Sequence, residues 1–217
     1  LEKVTLGNSV TSIGSKSFQN CSHLTEINMP NTITTIGMNA FANSGLTSVV
    51  IPDSVTSMGV SVFEGCKHLT SVTLPNSFTS IKLNTFKGCS ALVNINIPNS
   101  ITKIDEYAFS GCTGLTSINI PNSVTSIVGE AFYDCRNLTS VTIGNSISSI
   151  GNMAFYGCIA LSSITISATT PPTLLNDKVF YNTNNCTIYV PAESVNAYKT
   201  AQYWTEYADR IQAIPTE

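Results

Sequence analysis

Seven cysteines, two histidines and thirteen acidic residues are the groups here that could hold a metal or run acid–base chemistry. Their spacing argues against both. Cys21, Cys66, Cys89, Cys112, Cys135 and Cys158 recur at multiples of about 23 residues, and Ser44 fills the one skipped place. Zinc sites use close cysteine pairs, about two to four residues apart, and none occurs. A cysteine at one place in every copy of a repeat reads as a ladder of small, buried side chains whose S–H groups serve nearby carbonyls. Bridges between neighbouring rungs are the alternative, since one coil spacing lies within disulfide reach. An intact mass with and without reductant separates the two. His23 and His68 stand at loop ends outside any H-E-x-x-H pattern, so each is expected to be solvated. The acids are scattered, and the adjacent Asp105 and Glu106 read as a surface pair. Neither a G-x-S-x-G elbow nor a phosphate-binding Walker loop is present, and the abundant serines sit at repeated places. The residues point away from catalysis and from any cofactor.

The elements that carry these residues follow from self-similarity. Leu1, Leu24, Leu46, Leu69, Leu92, Leu115, Leu138 and Leu161 each open a similar block, 23 residues long except for the 22 from Leu24 to Leu46. The shared pattern is L-x-x-V-x-L-P-N-S-V-x-x-I-G-x-x-A-F-x-G-C-x-x. Numbering the slots from the leucine, apolar slots 4 and 6 alternate with polar slots 3 and 5, which is strand periodicity. Ile118 and Ile120 are expected inside, and Ser117 and Asn119 outside. Pro121 then ends the strand, Asn122 and Ser123 turn the chain, and Val124 and Ile127 bring it back to the core. Gly14, Gly37, Gly59 and Gly151 at slot 14 suggest a turn with positive φ, although Lys82, Asp105 and Val128 replace glycine in three copies. Phenylalanines from Phe18 to Phe155 form one column at slot 18. A unit this short cannot bury its own apolar face, so the coils must stack. Eight strands then make one parallel sheet roughly 34 Å long.

The L-T-S-V-T-L-P-N-S-V-T-S-I-G half and the A-F-x-G-C half resemble the leucine-rich repeat, and within it the BspA-like class. The resemblance covers residues 1 to about 190. It implies a horseshoe-like, right-handed superhelical solenoid with short parallel β-strands on one face and loops and turns on the other. It also implies a microbial cell-surface or secreted protein that binds host extracellular or surface proteins rather than an enzyme. The residues themselves leave open a glycan ligand, a structural spacer with no ligand of its own and, least favoured for want of a convergent acid–base pair, a glycan-active enzyme.

The repeats are expected to span residues 1–191 and a C-terminal helical cap residues 192–217. Thr169 to Pro172 and a Phe180 two residues late predict a longer loop in the eighth copy, and CTIYVP restores strand phase in a ninth strand. Trp204, Tyr207, Ala208 and Ile211 lie at helical spacing, so the cap is expected to present an apolar helical stripe to the core. Residue 1 already stands at slot 1, with no signal peptide before it, which suggests a fragment with an open edge at residues 1–7 and weak end-to-end self-association.

Composition closes off other classes. Thr, Ser and Asn supply 75 of 217 residues, whereas charged residues are 11% and the net charge is −3. There is no basic excess to neutralise phosphates, so nucleic-acid binding is not expected. No apolar run approaches the ~20 residues of a membrane span. The low charge suits stacking, because like charges one coil apart, about 4.8 Å, would repel along every column. The concave strand face, slots 2, 3 and 5, is short-chained and without aromatic anchors. Its departures from the common pattern are the candidate ligand contacts: Glu26, Asn28, Val50, Asn94, Asn96 and Asn119.

Overall fold

The computed structural model describes residues 1–216, leaving Glu217, the last residue assigned to the cap, outside the described residues. The chain is a parallel β-solenoid of about nine turns. Strands form at slots 3 to 5 or 6, as in Lys3–Thr5, Glu26–Asn28, Ser71–Thr73 and Ser117–Ile120, with the apolar slot buried (half-buried at Val4 in the first coil) and its polar neighbours exposed. Their pairing is parallel and joins the same slots of neighbouring coils, for instance Ile118 with Val141 and Val141 with Ile164.

A second ladder was not expected. Slots 12 and 13 form two-residue strands, such as Ser12–Ile13, Thr35–Ile36 and Ser126–Ile127, which also pair in parallel from coil to coil. Two residues are too short for an alternating pattern to be seen, although Ile127 was already expected to point inward. The first ladder is also less continuous than expected. It breaks between Glu26–Asn28 and Ser48–Val50, which do not pair, and again between Ser71–Thr73 and Ser117–Ile120, because no strand forms at slots 3 to 5 of the fifth coil. The alternation survives there: Asn94 and Asn96 are exposed while Ile95 and Ile97 are buried. Both outward slots of this coil are asparagine, a residue depleted from strands.

The apolar slots form columns through the core, among them the opening leucines from Leu24 to Leu161, all fully buried, and the phenylalanines. Phe18, Phe41, Phe63, Phe86, Phe109, Phe132, Phe155 and Phe180 stack with ring centroids 5.1–5.8 Å apart. Hydroxyl columns run outside them. Thr70, Thr139 and Ser162 at slot 2 each donate to the slot-2 carbonyl of the coil before, at 2.9 Å. Slot 11 does the same through Thr102, Thr125 and Ser148 at 2.9–3.2 Å. The Thr and Ser of the composition thus hold backbone to backbone across coils.

The slot-14 glycines have a different role from the one expected. Positive φ falls elsewhere, at slot 16 (Lys16, Asn39, Tyr107, Glu130) and slot 20 (Asn20, Gly65, Gly88, Asp134). At slot 14 the constraint is close approach: a Cβ on Gly151 would stand 2.3 Å from the Gly129 nitrogen, and one on Gly59 2.4 Å from the Met38 nitrogen.

The cap also departs from the expected helix. A 3-10 turn at Ala192–Ser194 leads into a short α-helix, Val195–Thr200, then a 3-10 helix, Trp204–Arg210. Ile211–Ala213 is a strand that adds, in parallel, to Thr187–Val190. Trp204, Tyr207 and Ile211 are buried as expected, but a 3-10 helix and a strand put them there. Their polar tips satisfy carbonyls of the irregular eighth copy: Tyr198 Oη donates to Ala168 and Trp204 Nε1 to Pro172, both at 2.8 Å, and Tyr207 Oη to Asp177. The extra residues of that copy are split, one before Thr173–Leu174, which pairs with Ser149–Ile150, and one before Phe180.

Candidate functional site

The strand face carries the six candidate residues, and all six are exposed. They do not form one site. Glu26 and Asn28 lie on the second coil, opposite Lys3 and Thr5. The Glu26 carboxylate is engaged by Lys3 Nζ at 2.7 Å, with both side chains more than half exposed. Such a pair adds little stability but takes up the charge. Val50, 67% exposed, stands beside Thr73 on the next coil. Asn94 and Asn96 are on the coil that forms no strand at these slots, and Asn119 is on the coil after it. Asn119 lines a hollow of about 490 Å³ with Asn99, Asn122, Thr142 and Ser167. Gly144 and Ser167, which also line it, stand at slot 7, where most copies have proline, and Gly144 lies so close to the coil before that a Cβ would stand 2.5 Å from the Asn122 Cα. Asn122 is fixed there, its Oδ1 accepting the Asn145 N–H at 3.0 Å.

The thiols are all free. Cys66, Cys89, Cys112, Cys135 and Cys158 are buried, and each Sγ donates to the phenylalanine carbonyl of the preceding coil at 3.1–3.2 Å. Burial pushes the Cys112 thiol up to about 12, and raises Cys66, Cys89 and Cys135 as well. Thiols held protonated in this way are poor nucleophiles and poor ligands. Cys186 precedes the Thr187–Val190 strand. Its N–H bonds Thr183 as the opening leucines bond slot 21, so it takes a leucine's place, and Thr183 takes slot 21.

Three features were missed from sequence. His23 and His68 share one hollow of about 490 Å³ with Glu2, Thr25 and Thr47. The second copy lacks a residue there, and Gly45 lies so close to the coil below that a Cβ would stand 2.1 Å from the Ser22 carbonyl oxygen. The missing residue was visible, but what it brought together was not. Asp105 pairs with Lys103 at 2.7 Å, and Glu130 accepts from Tyr107 Oη at 3.0 Å, which raises the Tyr107 phenol. Tyr133, Tyr156 and Tyr181 stack as a second aromatic column on the outer side, with centroids 5.1 and 5.7 Å apart. Among the described residues, no three of His, Cys, Asp and Glu gather as a metal site would need.

The paired short ladders, inward Leu and Phe columns and turn-built outer side define a leucine-rich-repeat solenoid. The BspA type leucine rich repeat region matches in six copies, over residues 1–114 and 79–206, and the chain belongs to that family. No curated protein matches it significantly. Among solved structures, a leucine-rich repeat protein from Bacteroides ovatus ATCC 8483 is 29% identical, with a TM-score of 0.65 over 88% of this chain and 54% of its own. The chain thus spans about half the length of that relative. A leucine-rich repeat protein of T. pallidum is 25% identical, with a TM-score of 0.55 over 76% of this chain and 72% of its own. The pneumococcal vaccine antigen PcpA shares the fold at 19% identity and a TM-score of 0.53, over 98% of this chain and 66% of its own. No helix among the described residues is long and apolar enough to cross a membrane.

Proposed function

We propose that the chain is a non-catalytic interaction module of a bacterial cell-surface or secreted protein, binding host extracellular proteins or glycans through the strand face around Asn94, Asn96 and Asn119. The observation that carries this is the exposed asparagine cluster on two neighbouring coils, beside the hollow of Asn99, Asn122 and Thr142. Free amides there offer both donors and acceptors to an extended peptide or a glycan. The family's association with bacterial surface proteins supports the location.

The test is an array of matrix proteins and glycans probed with the chain and with an Asn94→Ala, Asn96→Ala, Asn119→Ala variant. The expected result is a ligand bound by the first and lost by the second. Undiminished binding by the variant moves the site off this face. The second reading is a spacer with no ligand of its own. One observation favours it: the slot-2 and slot-11 hydroxyls are spent on backbone carbonyls of the preceding coil. No binding to any array member supports the spacer.

A further inference from the structure

The outer column of tyrosines is a late departure from the repeat. Slot 19 holds Gln19, Ala42, Glu64, Lys87 and Ser110 in the first five coils, so the fold sets no demand on it. In the last three it holds Tyr133, Tyr156 and Tyr181, stacked within 5 and 14° of parallel. Tyr181 ends the ladder and is 58% exposed. One of its faces is covered by Tyr156, and among the described residues no further ring covers the other.

A polar hollow of about 610 Å³ opens beside it, between the Asn182–Asn185 loop and the Trp204–Arg210 helix. Asn182, Asn184, Asn185 and Asp209 line it, and all four side chains are exposed. Both walls are non-repeat structure: the lengthened eighth copy and the cap. The positive charge in the hollow is already committed. Arg210 Nη1 donates to Thr183 Oγ1 at 3.1 Å, and its guanidinium lies 4.7 Å from the Tyr207 ring centroid. Glu206 and Asp209 also line the hollow, so anions are disfavoured.

An exposed aromatic ring that lines the hollow beside uncharged amides and carboxylate acceptors matches one ligand chemistry. A pyranose presents C–H groups on its faces and hydroxyls around its rim. The ring takes the C–H face, and the amides and the Asp209 carboxylate take the hydroxyls. We propose that Tyr181, with Asn182, Asn184, Asn185 and Asp209, forms a binding site for a neutral oligosaccharide at the C-terminal end of the outer side. The site is separate from the strand-face cluster and stands or falls independently of it.

The test is a titration of the whole chain with cellohexaose, maltohexaose and chitohexaose, followed by NMR of the backbone amides and tyrosine rings. At least one sugar is expected to shift Tyr181 and the Asn182–Asn185 amides saturably. Tyr181→Ala should weaken that binding about tenfold, the upper end of one ring contact's contribution. Tyr181→Phe should retain it, and Asp209→Asn should weaken it with the thermal midpoint unchanged. The strand-face triple variant should bind the sugar as the parent does. The proposal is overturned if none of the three sugars binds, if Tyr181→Ala binds undiminished, or if the shifts map to the strand face.

Discussion

The slot-21 thiol does structural work that the proton on sulfur makes possible. With Sγ donating to a phenylalanine carbonyl, the buried thiol satisfies an oxygen that would otherwise lie in the apolar core. Burial pushes Cys112 up to about 12 from an ordinary 9.0. The folded chain therefore keeps a proton that the unfolded chain releases from about pH 9. Stability from this thiol is fully present below the unfolded value and is lost as pH rises toward the folded one. That interval is worth about 4 kcal/mol for Cys112 alone. Denaturant midpoints measured from pH 8 to 11 should fall steadily. Cys112→Ser should lower stability at pH 8 but flatten the fall, since a hydroxyl does not titrate there. Ser44 at the same slot, 3.4 Å from Cys66 Sγ, shows that serine fits the ladder. An equal slope in parent and variant would assign the pH dependence to other groups.

Between residue and coil, the element scale shows what one sequence can and cannot reveal. The first ladder was legible because alternation leaves a period-2 trace, and the inward-facing residues were legible with it. The second ladder was not, because two residues leave no period. A slot-14 glycine looks the same whether it serves a positive φ or a close approach, and only coil-to-coil distances separate these. The candidate site divides in the same way. Asn94, Asn96 and Asn119 were legible as outward departures from the pattern, whereas the hollow beside Asn119 is lined by residues of several coils that only the stacking brings together. Tyr133, Tyr156 and Tyr181 repeat at one slot but gain meaning only once the rings are seen stacked. The close-approach role is testable. Gly151→Ala puts a methyl 2.3 Å from the Gly129 nitrogen, so the coils must separate locally. A loss of about 1–3 kcal/mol in equilibrium unfolding is expected. Gly7→Ala, with nothing within 4 Å of its Cβ, is the control and should change stability little. Equal effects at both positions would mean that the loss does not come from the close approach of the coils.

Across the whole molecule, stability passes from coil to coil, because each repeat packs on its neighbours. Such an array is weakest where a coil lacks a partner, and at the C-terminal end the cap replaces that partner. Trp204 lies 5.7 Å from Phe180, tilted at 42°, and Tyr207 meets the same ring edge-on at 5.3 Å. The phenylalanine column therefore ends on aromatic rings rather than on water. Tyr198 packs edge-on to Trp204 at 4.9 Å and ties the short helix to the same cluster. Trp204→Ala removes the largest of these side chains and leaves the Pro172 carbonyl without its indole donor. A loss of about 3–5 kcal/mol is expected at this end. In a one-dimensional array that loss stays local before it becomes global. Hydrogen exchange should show Phe180 to Val190 amides losing protection first, with the coils around Phe63 and Phe86 keeping theirs until the chain unfolds as a whole. Uniform loss of protection along the chain would mean that the coils unfold as one unit, and that the cap's contribution is shared by all of them.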